Sequence, residues 1–87
     1  MRLTFYKSGN GRGAGGPLIH NQTVAIPRQL MNNMGISFGQ QIYINSNRGW
    51  SGWYTVTDIC GTAGTIDIYT EGSIPTWGTE SGVSIST

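Results

Sequence analysis

The sequence is poor in the residues that most often carry chemistry. It has one cysteine and one histidine, and only five Lys or Arg against four Asp or Glu in 87 residues. A single cysteine excludes an internal disulfide, so nothing in the chain resembles the stapled framework of a small secreted domain. One His and one distant Cys do not make a metal site. A net charge of +1 with 10% charged residues gives no basic field for nucleic acid and no acidic tail. No apolar run approaches the ~20 residues needed to span a bilayer. Leu, Ala, Lys and Glu, the residues that build helices, are scarce as well, so helix is at most a minor component.

Gly, Thr, Ser, Asn and aromatics are plentiful: 14 Gly, three Trp and four Tyr. That composition describes a turn-rich β protein. Its length makes one small domain over 1–87. A chain with this little charge suits a neutral partner such as a polysaccharide, and we expect a monomer that binds no nucleic acid and has no membrane span. Met1 leads directly into strand-like text rather than a charged and then apolar leader. We therefore expect a chain that either is made without a signal peptide or has lost one.

Read in order, Leu3–Lys7 is a first strand with Thr4 and Tyr6 on one face and Leu3 and Phe5 on the other. Five Gly follow between Ser8 and Gly16 without a phosphate-binding pattern or a following helix, which argues against a nucleotide cofactor and for a flexible loop at the mouth of a groove. Thr23–Ile26 is a second strand, stopped by Pro27. Arg28–Met34 fits one or two helical turns that use Leu30, Met31 and Met34 to cap a barrel, with Gly35 as the stop. Gly39–Asn45 is a third strand. Trp50 and Trp53 lie in the most aromatic stretch, beside Gly49 and Gly52, where one is expected to be exposed for stacking on sugar and the other buried. Glu71–Trp77 is expected to form a short helical or turn segment, and Gly82–Ser86 a sixth strand.

The most informative stretch is Thr55–Tyr69. Thr55–Thr57 and Thr65–Ile68 read as two strands joined by a turn at Gly61 and Gly64, and Asp58 and Asp67 interrupt these β-branched runs. Ile66 and Ile68 share one face, so Asp67 and Tyr69 point to the other. Two readings stand side by side. Asp58 caps the turn and Asp67 faces solvent, or both line a groove. A Cys60–His20 nucleophilic pair is a weaker possibility, because Cys60 reads equally well as a small buried hydrophobe.

Val-Thr-Asp-Ile-Cys-Gly followed by Gly-Thr-Ile-Asp-Ile-Tyr resembles the two-aspartate signature of the double-psi β-barrel superfamily, which holds expansins, barwin-like proteins, the rare lipoprotein A family and the 3D (Asp-Asp-Asp) domains. Thr4-Phe5-Tyr6 before a Gly-rich loop, Val24–Pro27 with Phe38–Ile44, and the closing Tyr, Trp-Gly and Val-x-Ile text are similar to the same group. The first of the three aspartates of the 3D domains is missing, since Ile26 and Pro27 stand in its place.

The resemblance implies an all-β, six-stranded double-psi β-barrel with one or two short helices. It implies a cell-wall domain of bacterial or phage origin, acting on peptidoglycan in the manner of a lytic transglycosylase. Asp67 would be the acid/base and Asp58 its orienting or charge-stabilising partner, with Thr4, Tyr6, Trp50, Trp53 and Tyr69 binding substrate and no metal. Expansin-like polysaccharide binding without cleavage, and a structural or inhibitory barrel, are the alternatives.

Overall fold

The computed structural model describes residues 1–87. The chain runs β1 (Arg2–Tyr6), β2 (Arg12–Gly13), β3 (Gly16–Pro17), β4 (Thr23–Ile26), α1 (Arg28–Met34), β5 (Gln41–Asn45), β6 (Gly52–Ile59), β7 (Thr65–Tyr69), β8 (Glu80–Ser81) and β9 (Ser84–Ser86). Seven strands form one mixed sheet in the order β8-β1-β7-β4-β6-β5-β9, curled into a half-barrel, and β2 and β3 form a separate hairpin. With 41% of residues in strands and 8% in helix, the mostly-β class inferred from composition holds.

The strand inventory differs from the six expected. Of the expected sixth strand, Gly82–Ser86, only Ser84–Ser86 (β9) is strand, because Gly82 takes a φ of 76° in the left-handed region, and a further short strand, β8, precedes it. The two serve opposite edges of the sheet, β8 on β1 and β9 on β5. Only Gly82 and Val83 separate them, a span of about 10 Å at full extension, so the sheet must curl until its two edges lie near each other. No ladder joins β8 to β9, and hydrogen bonding does not complete a six-stranded closure. Part of the aromatic stretch, Gly52–Tyr54, also belongs to a strand, because β6 begins at Gly52. Glu71–Trp77 forms turns and no helix.

The inner face is made by the alternation visible in the sequence. Leu3, Val24, Ile26, Ile42, Ile44, Val56, Ile66 and Ile68 are fully buried, and the register sets Leu3 against Ile66 and Val24 against both Ile68 and Val56. Each such side chain contributes roughly 1.5–3 kcal/mol of transfer free energy, and β-branched residues pack well on a pleated surface. Phe5 sets its ring edgewise to Trp50 and Trp77, at centroid distances of 4.7 and 5.6 Å. Helix α1 adds Met31 to this core and packs Leu30 against it. It stops at Gly35, with φ 66°. Met34, expected to cap the barrel, is exposed instead, because it sits on the last turn, past the core.

Glu80 holds the two edges of the curled sheet to each other. It is buried on β8, yet its carboxylate accepts hydrogen bonds from the Ser46 hydroxyl (2.5 Å) and the Asn47 N–H (2.7 Å) in the turn after β5. A second tie lies beside it, where Met1 and Val83 exchange hydrogen bonds of 3.0 and 3.1 Å.

Candidate active site

The registers place four side chains in one row across four strands. Thr4 on β1 lies opposite Asp67 on β7, Asp67 opposite Ala25 on β4, and Ala25 opposite Asp58 on β6. Residues in register share a face, so Thr4, Asp67, Ala25 and Asp58 all project from the side away from the Ile and Val core. The two aspartate backbones are two strand spacings apart, roughly 10 Å, and between them stands the methyl group of Ala25. A larger side chain at this position would fill the gap.

Asp58 reaches this face because of a bulge. Val56 points into the core and strict alternation would send Asp58 inward with it, but the β4–β6 register shifts between Val24 and Ala25. The extra residue is Thr57. It lets Asp58 emerge beside Asp67, and its own hydroxyl is left buried without a hydrogen-bond partner. Thr57→Val removes that hydroxyl at nearly constant shape. Because the lost group satisfies nothing, the variant is expected to be about 1 kcal/mol more stable, as measured by the urea midpoint.

The two carboxylates sit in different surroundings. Asp67 is half-buried and accepts one side-chain hydrogen bond, from the Thr4 hydroxyl at 2.8 Å. Burial raises its pKa above the ordinary carboxylate value; the Thr4 hydrogen bond opposes this shift and the nearby Asp58 charge reinforces it. Asp58 is surrounded by donors. Its Oδ1 accepts from the N–H groups of Ala14 (3.0 Å) and Ile59 (2.9 Å), and its Oδ2 from the Tyr6 hydroxyl (3.1 Å). Burial, and then the Asp58 carboxylate, push the Tyr6 hydroxyl well above the usual tyrosine range, so Tyr6 remains a donor. One acid is thus pushed toward its protonated form, while its neighbour is fully engaged as an acceptor.

No protein-family model, curated protein or solved structure matches this chain.

The glycine-rich segment expected to be a flexible loop folds in part as a clamp on Asp58. The turn of the β2–β3 hairpin delivers the Ala14 N–H to Asp58, and Gly15 donates to the Thr57 carbonyl at 2.8 Å. Gly13 packs so closely that an added Cβ would lie 2.5 Å from the Thr57 oxygen and 2.8 Å from the Asp58 Cβ and Cγ. Gly13→Ala is therefore expected to destabilise by roughly 1–3 kcal/mol through overpacking. A shift of the Ala14 amide resonance away from its hydrogen-bonded position would show that the clamp has lifted.

Tyr69 follows Asp67 by two residues on the same face, and its ring meets that of Tyr6 edge-on at 5.7 Å. The structure therefore brings together five of the expected residues: Asp58, Asp67, Thr4, Tyr6 and Tyr69. The tryptophans are not part of this group. Trp50 packs on Phe5 against the core. Trp53 is 56% exposed, as one of the two was expected to be, but it pairs with Tyr43 on β5. It also lies five residues from Asp58 along β6, which is roughly 16 Å of strand.

Nor do Cys60 and His20 form a pair. Cys60 is engaged in its own turn with Thr62, and the Nδ1 of His20 accepts the Glu71 N–H at 2.7 Å. Sequence reasoning missed the Ala14 N–H as a partner of Asp58. The signal available was glycine at Gly13, a residue that permits close backbone approach.

Proposed function

We propose that this chain is a double-psi β-barrel domain that cleaves the glycan strands of peptidoglycan by a lytic-transglycosylase-like route, with Asp67 as acid/base. The observation that carries this reading is the row Thr4–Asp67–Ala25–Asp58, in which a half-buried carboxyl with a raised pKa stands two strands from a carboxylate ringed by donors. Two parallel ladders, β1 with β7 and β4 with β6, joined by the antiparallel β4–β7 pair, support the barrel assignment.

In the proposed reaction Asp67 donates its proton to the glycosidic oxygen as the bond breaks. It then takes a proton from the sugar hydroxyl that closes the anhydro ring, which restores the acid for the next cycle. Thr4 holds the carboxyl in place in both steps. Asp58, kept as an acceptor by Tyr6, Ala14 and Ile59, supplies negative charge against the developing oxocarbenium ion. No water is consumed, so the site has no need of a second carboxylate acting as a base toward water. Such a substrate belongs to a wall-facing or phage-encoded protein. Incubation with purified peptidoglycan followed by mass analysis is expected to show anhydro-muropeptides, and fully hydrated ends alone would overturn the route.

A second reading, binding and loosening without cleavage, is favoured by one observation: the exposed Trp53 beside Tyr43 is a surface suited to a sugar ring. Retention on insoluble wall with no soluble product would select it.

A further inference from the structure

Beyond the aspartate row, the face continues into a cleft of about 380 Å³ lined by Lys7, loop residues 8–11, Tyr69, Thr70 and Glu71. Its volume falls within the range of small-ligand sites, and Tyr69 is the one hydrophobic residue among the eight that line it. Loop residues 8–11 are held in shape by their own side chains. Asn10 Oδ1 accepts from the Ser8 hydroxyl at 3.0 Å and from the Arg12 N–H at 3.1 Å.

Two residues of opposite charge, Lys7 and Glu71, line this cleft. The Lys7 ammonium makes no hydrogen bond or ion pair within the chain, and the Glu71 carboxylate accepts only the Tyr69 hydroxyl, through Oε2 at 2.8 Å, which leaves Oε1 free. The remaining three carboxylates, Asp58, Asp67 and Glu80, are each engaged by protein donors on both or one of their oxygens at the row and the seam. A phosphate or other polyanion attracted by Lys7 would be repelled by Glu71, and an uncharged sugar would use neither charge. A ligand carrying both a carboxylate and an ammonium group satisfies the two together. Tyr69 connects this cleft to the acid, since it lies two residues from Asp67 on one strand and packs against Tyr6, the donor to Asp58.

We infer that the cleft is a subsite for a zwitterionic peptide, with its carboxylate toward Lys7 and its amine toward Glu71. Resting on the reading of the aspartate row as a glycan-cleaving site, that peptide is the one carried by the glycan strand. The cleft then selects peptide-bearing over bare glycan.

The test is an NMR titration of the Asp67→Asn chain, which cannot turn substrate over, with a disaccharide-tetrapeptide that has a free amine and carboxylate and with the same disaccharide stripped of peptide. The expected result is shifts at the amides of residues 8–11 and 70–71 with the peptide-bearing probe alone, and tighter binding of that probe. Adding Lys7→Gln or Glu71→Gln should each weaken it about threefold, and both together about tenfold, as expected for exposed charge pairs, with the bare disaccharide unaffected. Equal affinity for the two probes, or shifts confined to the aspartate row, would overturn the subsite. If the wild type releases no anhydro product while the peptide-bearing probe still shifts the cleft, the acid assignment falls and the subsite stands.

Discussion

Asp67→Asn is expected to leave the fold intact and to lower the release of anhydro-muropeptides by ~10²–10⁴-fold, the contribution of a positioned proton donor. The amide oxygen can still accept from Thr4, so the row keeps its geometry and wall binding should persist. The same substitution has a stability signature of known sign. Burial raises the Asp67 pKa in the folded state, so between the unfolded value and the raised one the native chain binds the proton more tightly than the unfolded chain. Stability supplied by this group is complete below the unfolded pKa and falls as pH rises through the folded one. The Asn variant lacks that decline, so its stability relative to wild type should increase across this window and then level off. A midpoint difference independent of pH would show that Asp67 is not held in its protonated form by burial. Activity should fall on the alkaline side as the same proton is lost.

Glu80→Ala is expected to be the most destabilising polar substitution, at about 3 kcal/mol. It removes two charge-assisted hydrogen bonds, each worth roughly 1.5–3 kcal/mol, and takes its acceptor from the part-buried Asn47 N–H. Glu80→Gln should recover most of the loss. Its amide oxygen can take the Asn47 N–H, and the Ser46 hydroxyl can rotate to accept from the amide nitrogen. Urea denaturation of the two variants distinguishes a seam held by these contacts from one held by apolar packing alone, for which both substitutions would cost less than 1 kcal/mol.

The strands were legible because apolar residues alternate with polar or amphipathic ones through Leu3–Phe5, Ile42–Ile44 and Ile66–Ile68. The same alternation gave the outward direction of Asp67 correctly. It fails at Asp58, because a bulge adds a residue that no period-two pattern reveals, and Val56-Thr57-Asp58 reads as though the aspartate faced the core. The Gly-rich segment was legible as irregular but not as a hairpin, since its pairing depends on Gly13 fitting against a strand more than 40 residues away. Glu80 gave no signal at all. Its partners are a serine hydroxyl and a backbone N–H, 34 and 33 residues distant respectively, and a carboxylate bound by such donors looks in sequence like any surface acid. Asp58 does not cap the turn at Gly61 and Gly64; the turn N–H it accepts is that of Ala14 in the β2–β3 hairpin.

The contact between Thr4 and Asp67 spans 63 positions of chain and lies in a parallel ladder, which forms only after the intervening residues have been made. Pairings of such long range place folding in the millisecond-to-second class. At ordinary synthesis rates of 5–20 residues per second, β1 waits roughly 3–13 s on the ribosome for the strand that completes its ladder. Throughout that interval the hydroxyl that orients the carboxyl is present and the carboxyl is not, so the acid and its support arise together in one late event of chain assembly.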